Sequence, residues 1–178
     1  MNYIVCFDSN CYDELIKLDK ETLNNVFVKI NQVILPQAVK LQLNNISDKD
    51  KLEKINNLLN YLNSINKVNE ISGIFGFYLG KDIENGELKK DKKIEKKYHS
   101  IIGFGTKNTK NESLGMMDTK KSNYIKSLSP SMKNSDKEIA LTAKTKNAIL
   151  ITNDKDIIKN LTNIQQKVFS FNDFILQI

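Results

Sequence analysis

Both ends of this chain alternate short apolar runs with helical patterns, and that alternation limits the fold more than any other feature. Residues 2–7, Asn-Tyr-Ile-Val-Cys-Phe, are mostly β-branched and aromatic, which predicts a buried strand. Helical patterns follow from about Asn10 to Leu18 and from Glu21 to about Asn31, the second opened by Asp19 as N-cap. Val33-Ile34-Leu35 predicts a short strand, and Pro36 suits the start of a helix running to about Asn45, where its missing N–H goes unneeded. Ser47-Asp48-Lys49-Asp50 resembles a capping box. The helix it opens carries Leu52, Ile55, Leu58, Leu59, Leu62 and Ile65 on one face.

The other end repeats the logic. Ser135-Asp136-Lys137-Glu138 has capping-box spacing and starts a helix with a slim face of Ile139, Ala140 and Ala143. Asn147 suits its end. Ala148-Ile149-Leu150-Ile151 is a continuous apolar run, as expected of a strand covered on both faces. A helix over 155–161, a strand over 167–170 and a helix over 172–177 complete the pattern. Strands that alternate with helices predict an α/β fold with a mainly parallel sheet.

The middle of the chain differs in composition. Its 178 residues give room for one domain with a sizeable insertion. Residues 1–66 hold 7 Lys and 8 acids, residues 134–178 hold 6 Lys and 5 acids, and residues 67–133 hold 14 Lys and 8 acids. The net charge of +6 therefore sits in the middle third, together with all seven glycines. This predicts a core of residues 1–66 and 134–178 carrying a basic, Gly-containing insertion at about 67–133. Possible strands lie at 71–79 and 100–105. The charge is weak evidence for nucleic acid, because 27 Lys without a single Arg, beside 23 Asn and 22 Ile, reflects a coding bias. The start has no basic leader region, and no window approaches the roughly 18 apolar residues of a membrane span. Cys6, Cys11 and the single His99 form neither a disulfide framework nor a zinc site. A reducing, cytoplasmic setting is the default expectation.

Two aspartates sit just beyond apolar strands: Asp8 after Tyr3–Phe7, and Asp154 after residues 148–152. In open parallel sheets, sites form outside the carboxyl ends of the strands. Asp136 opens the helix that leads into the second strand, so it reaches the same edge. Each acid alone also suits a helix cap or a first turn. Three converging carboxylates repel one another unless a cation lies between them, and oxygen-only ligands favour Mg²⁺ or Mn²⁺.

These residues carry a resemblance to the PIN domain, a family of metal-dependent ribonucleases that includes the toxins of many toxin–antitoxin pairs. "IVCFDSN" resembles its first strand and acid, "VILPQAVKLQL" its second strand and following helix, "SDKEIALTAKTKNAILITNDKDI" its acid-opened helix and last acidic strand end, and "KVFSFNDF" its final strand and helix. The match covers residues 1–46 and 134–178. It implies a three-layer α/β/α fold and hydrolysis of RNA phosphodiester bonds with Mg²⁺ or Mn²⁺. Asp8, Asp136 and Asp154 would be the catalytic, metal-site acids, with Asp156 as a further acid and Asn10 and Thr152 as accessory polar residues. One departure stands out: the helix after the second strand usually supplies Glu, and Gln42 stands there. An amide oxygen accepts but brings no charge. Glu138 or Asp118 would then have to substitute, or the chain is a catalytically weakened module that binds RNA or a protein partner.

The resemblance further implies RNA as partner and an antitoxin-like protein as a further one; a homodimer is an open expectation, and the short apolar windows predict no membrane partner. Lys89, Lys90, Lys92, Lys93, Lys96 and Lys97 are candidates to hold the RNA backbone. Phe75, Phe77, Tyr78, Tyr98 and Phe104 could stack on bases, though packing is the better expectation for them. A phosphotransferase with Asp8 as nucleophile fits poorly, because Asn10 stands where a second Asp is needed. A phosphate loop at Gly76–Asp82 is too short and lacks Ser or Thr after its Lys.

Overall fold

In the computed structural model, residues 3–72, 112–113 (backbone only) and 118–178 are described. The lysines at 89–97, the five aromatics, the glycines and the strand expected at 100–105 lie outside them. The protein is a three-layer α/β/α structure around a parallel six-stranded sheet of order β4-β3-β2-β1-β5-β6. The strands are β1 (Tyr3–Phe7), β2 (Ile30–Pro36), β3 (Val68–Ser72), β4 (Glu112–Ser113), β5 (Ile149–Ile151) and β6 (Val168–Phe169). The helices are α1 (Ser9–Leu15), α2 (Lys20–Lys29), α3 (Gln37–Asn44), α4 (Lys49–Ser64), α5 (Thr119–Ser127), α6 (Asn134–Thr145), α7 (Lys155–Asn163) and α8 (Phe171–Gln177). Among the described residues no helix is long and apolar enough to cross a membrane.

The alternation in the sequence becomes the layers of the fold. Period-two geometry sends Phe7 to one face of β1 and Cys6 to the other. Phe7 meets Tyr12, Phe27 and Phe174 edge-on at centroid distances of 6.3, 6.5 and 6.3 Å, which ties α1, α2 and α8 to that face. Burial pushes the Cys6 thiol up, and Glu138 of α6 lies near enough to add to the rise. β1, β2 and β5 are almost wholly buried along Val5–Phe7, Val33–Leu35 and Leu150–Ile151, as their continuous apolar runs require.

Several boundaries differ from the expected ones. β2 starts at Ile30 rather than Val33, cutting α2 to Lys29. Pairing with Tyr3 draws Ile30 into the sheet, with a register irregularity between Tyr3 and Ile4. The sheet also extends past residue 66: β3 pairs with β2, and Ile71 is buried. Leu128 and Met132 join the core from the other side. The segment set apart as an insertion at about 67–133 thus contributes sheet and core at both its ends. The slim apolar face expected of α6 is wider: Glu138 to Ala143 are all buried, because α6 packs against the sheet, α3 and α5 at once.

The helix ends show how the flanks manage without glycine. Asn66, Asn147 and Gln165 hold positive φ of 54°, 51° and 57°. At each, a following N–H closes back on the helix: Lys67 to Leu62 at 2.9 Å, Ala148 to Ala143 at 2.8 Å, Gln166 to Leu161 at 3.0 Å. This is the left-handed cap that Gly usually supplies; Asn tolerates it better than other side chains. Asn147 therefore ends α6 as expected.

Candidate acidic site

The chain runs from β1 to β2 and β3 on one side, then returns to β5 on the other side of β1. Such a reversal opens a crevice at the carboxyl ends of the two strands. Phe7 pairs with Ile151, and the Asp8 N–H donates to the Ile151 carbonyl at 2.8 Å. The next residue on each strand, Asp8 and Thr152, is thereby set side by side.

Thr152 is the hub. Its hydroxyl donates to Asp8 Oδ2 at 2.7 Å and accepts from the Asp154 N–H at 3.1 Å. The Asn10 amide donates to Asp8 Oδ2 at 3.0 Å, and its oxygen accepts the Asn153 N–H at 3.2 Å. One short lattice of bonds therefore fixes Asp8, Asn10, Thr152 and the start of the Asp154 turn. Asp8 and Asp154 are also helix caps. Asp8 Oδ1 accepts from the Ser9 N–H at 2.7 Å, and Asp154 Oδ1 from the Asp156 and Ile157 N–H groups at 2.8 and 3.1 Å. Capping and site roles are compatible: a cap holds one oxygen and so orients the other. Asp154 Oδ2 accepts no bond from a described residue.

Asp136 lies in the first turn of α6, whose N-cap is Lys133 rather than Ser135. The helix starts earlier than its capping-box spacing implies, so Asp136 is not spent on capping. Burial pushes its carboxyl up to about 6, and repulsion from Asp8 and from Asp154 adds to the rise. Lys133 opposes it. Burial also pushes Asp8 above the usual carboxylate range; Thr152 and Ser9 pull it back, while Asp154 adds repulsion. The charges of Asp8 and Asp154 thus reach Asp136 from two other segments.

The side chains of the remaining candidates, Glu138, Gln42, Asp156 and Asp118, stand outside this set of bonds. Glu138 is fully buried between α6 and α3, its Oε1 accepting the Ala38 N–H at 3.4 Å. Burial raises its carboxyl to about 8. Its Oε2 has no partner among the described residues, and neither has the buried Oε1 of Gln42 on α3. Asp156 is exposed at the start of α7. Asp118 caps α5 and pairs with Lys121 at 2.9 Å, so it is engaged locally. Sequence inspection passed over Ser9, Asn153 and Lys133. Asn153 binds Asn10 through its N–H and the Phe171 N–H through its side chain at 3.1 Å, linking the site to α8; its place inside Thr-Asn-Asp is the only hint of this.

Among the described residues no three Asp, Glu, His or Cys side chains form a ready cage for one ion. The donors still suit a hard, hydrated cation, which keeps several waters and takes only one or two carboxylates. No known family model matches the chain, and no curated protein matches it.

Proposed function

We propose that this protein is a Mg²⁺- or Mn²⁺-dependent ribonuclease of PIN type, acting at the carboxyl ends of β1 and β5. The observation that supports it best is the meeting of Asp8, Asp136 and Asp154 from three segments at one sheet edge, where Phe7 and Ile151 pair and three carboxylates would repel one another. Such repulsion costs stability unless a cation relieves it. Asp154, with one oxygen free, and Asp8 would hold the ion, and Asp136 would complete its negative surroundings from α6. When bound, a divalent cation supplies Lewis acidity and offsets charge on the non-bridging oxygens of a phosphodiester. Thr152 and Asn10 keep Asp8 in one rotamer, so no reordering is needed when substrate arrives. Lys133, exposed and close enough to act on Asp136, suits a neighbouring phosphate as a point charge. The decisive experiment incubates the full chain with a generic RNA in Mn²⁺ and in chelator. Cleavage confined to Mn²⁺ is expected, and none in either would end the nuclease reading.

Gln42 favours the second reading, a weakened module that binds RNA or a protein partner. Gln42→Glu tests it. Its partly buried position makes an added charge costly, so the variant should melt a few degrees lower in chelator. If residue 42 faces the cation, Mn²⁺ should recover that loss, since a ligand of the folded state stabilises it by mass action. A metal-induced shift equal to that of the wild type would separate residue 42 from the site.

A further inference from the structure

Three side-chain oxygens buried along the contact of α3 and α6 have no partner among the described residues: Gln42 Oε1, Glu138 Oε2 and the Thr142 hydroxyl. Glu138 and Thr142 are wholly buried. The topology brings the three together. α3 starts where β2 ends and α6 precedes β5, so both helices run away from the carboxyl edge of the parallel sheet. They pack on each other, and the bond from the Ala38 N–H to Glu138 Oε1 sets residue 38 opposite residue 138. Four residues on along each helix, Gln42 therefore comes opposite Thr142. Orphaned buried polar groups destabilise a fold, and native proteins keep few of them. Thr142 lacks even the bond back to its own helix that Thr162 makes to the Ile158 carbonyl at 2.8 Å.

We propose that α3 and α6 hold one buried water molecule between them, bonded to Gln42, Glu138 and Thr142 together. A direct bond between any two of these side chains leaves the third unpaired; a shared water serves all three. The bond count closes in either state of the acid. A carboxylate and the amide oxygen take the two water hydrogens while the Thr142 hydroxyl donates to the water. A neutral Glu138 donates to the water instead, and the water donates to the amide and to Thr142. Three bonds is the usual number for a buried water. The spacing suits it as well: positions four apart on a helix are separated by about 6 Å, roughly two hydrogen-bond lengths. At position 38 this seam has only a buried methyl group, which leaves room. The water is independent of the ribonuclease reading. It ties the helix that carries Asp136 to the helix that follows β2, whatever the acids do.

A crystal structure of the full chain that shows ordered water is the direct test. One water should lie within about 3 Å of all three side chains. A seam without it, or a direct bond of the Gln42 side chain to Glu138 or to Thr142, overturns the proposal. A double-mutant cycle read by urea unfolding tests the same bridge in solution. Thr142→Val keeps the β-branched shape and removes the hydroxyl, and Gln42→Met keeps the length and removes the amide. Each variant alone deprives the water of a partner, so the two losses should not multiply. The double variant should lose at least about threefold less of its folding equilibrium constant than the product of the single losses. A smaller coupling overturns the bridge. Coupling of that size beside a crystallographic water bonded to all three side chains supports it, because Gln42 and Thr142 then interact only through the water.

Discussion

Asp8→Asn and Asp154→Asn should each lower Mn²⁺-dependent RNA cleavage by at least about a hundredfold, more than residues that merely support a ligand usually cost. Both variants should stay folded. Asn caps a helix as well as Asp does, so the bonds from Asp156 and Ile157 survive at position 154. At position 8 two effects oppose. Asn gives up one of the two acceptor oxygens that now serve Ser9, Asn10 and Thr152, which costs about 1 kcal/mol. It also removes a buried charge whose carboxyl titrates above its ordinary value. That charge weakens folding once the pH exceeds the unfolded value, so losing it helps at neutral pH. Melting in chelator should therefore change little while cleavage collapses. Wild-type-like cleavage by either variant would remove that residue from the site.

Glu138→Gln should stabilise the protein at neutral pH by on the order of 3 kcal/mol. The carboxyl titrates at about 8 when folded, against 4.5 for an ordinary Glu. Between those values the unfolded chain carries the charge and the folded chain does not, so stability falls as pH rises through that window. Below about 4.5 the acid is neutral in both states and the penalty vanishes. Gln is neutral throughout and keeps an oxygen for the Ala38 N–H. Urea unfolding of both proteins at pH 4 and pH 7 checks this: the variant's advantage should appear at pH 7 and disappear at pH 4. An advantage of equal size at both would show that Glu138 is not a buried neutral acid.

These three acids illustrate what a sequence can and cannot convey. Asp8 and Asp154 were legible because each follows an apolar run, Asp8 directly after β1 and Asp154 three residues beyond β5, and parallel strands deliver their ends to one sheet edge. Glu138, two residues beyond Asp136, was a candidate to substitute for the acid missing at Gln42. Helical periodicity alone rotates it by about 200° from Asp136, but which direction faces the core depends on how α6 docks. The wedge between the sheet, α3 and α5 turns it inward.

The amino-acid sequence by itself determined the alternation of strands and helices, the left-handed stop at Asn147, and Asp8 and Asp154 beyond strand ends with Asp136 in the first turn of a helix. All of these depend on residues close in sequence, on side-chain period and on backbone preference. Tertiary structure decided the rest. It drew Ile30 and residues 68–72 into the sheet through pairing with distant strands, and set Thr152 beside Asp8 through the register of β1 and β5. Each joins segments far apart in the chain, and the free energy of bringing them together belongs to no single one of them.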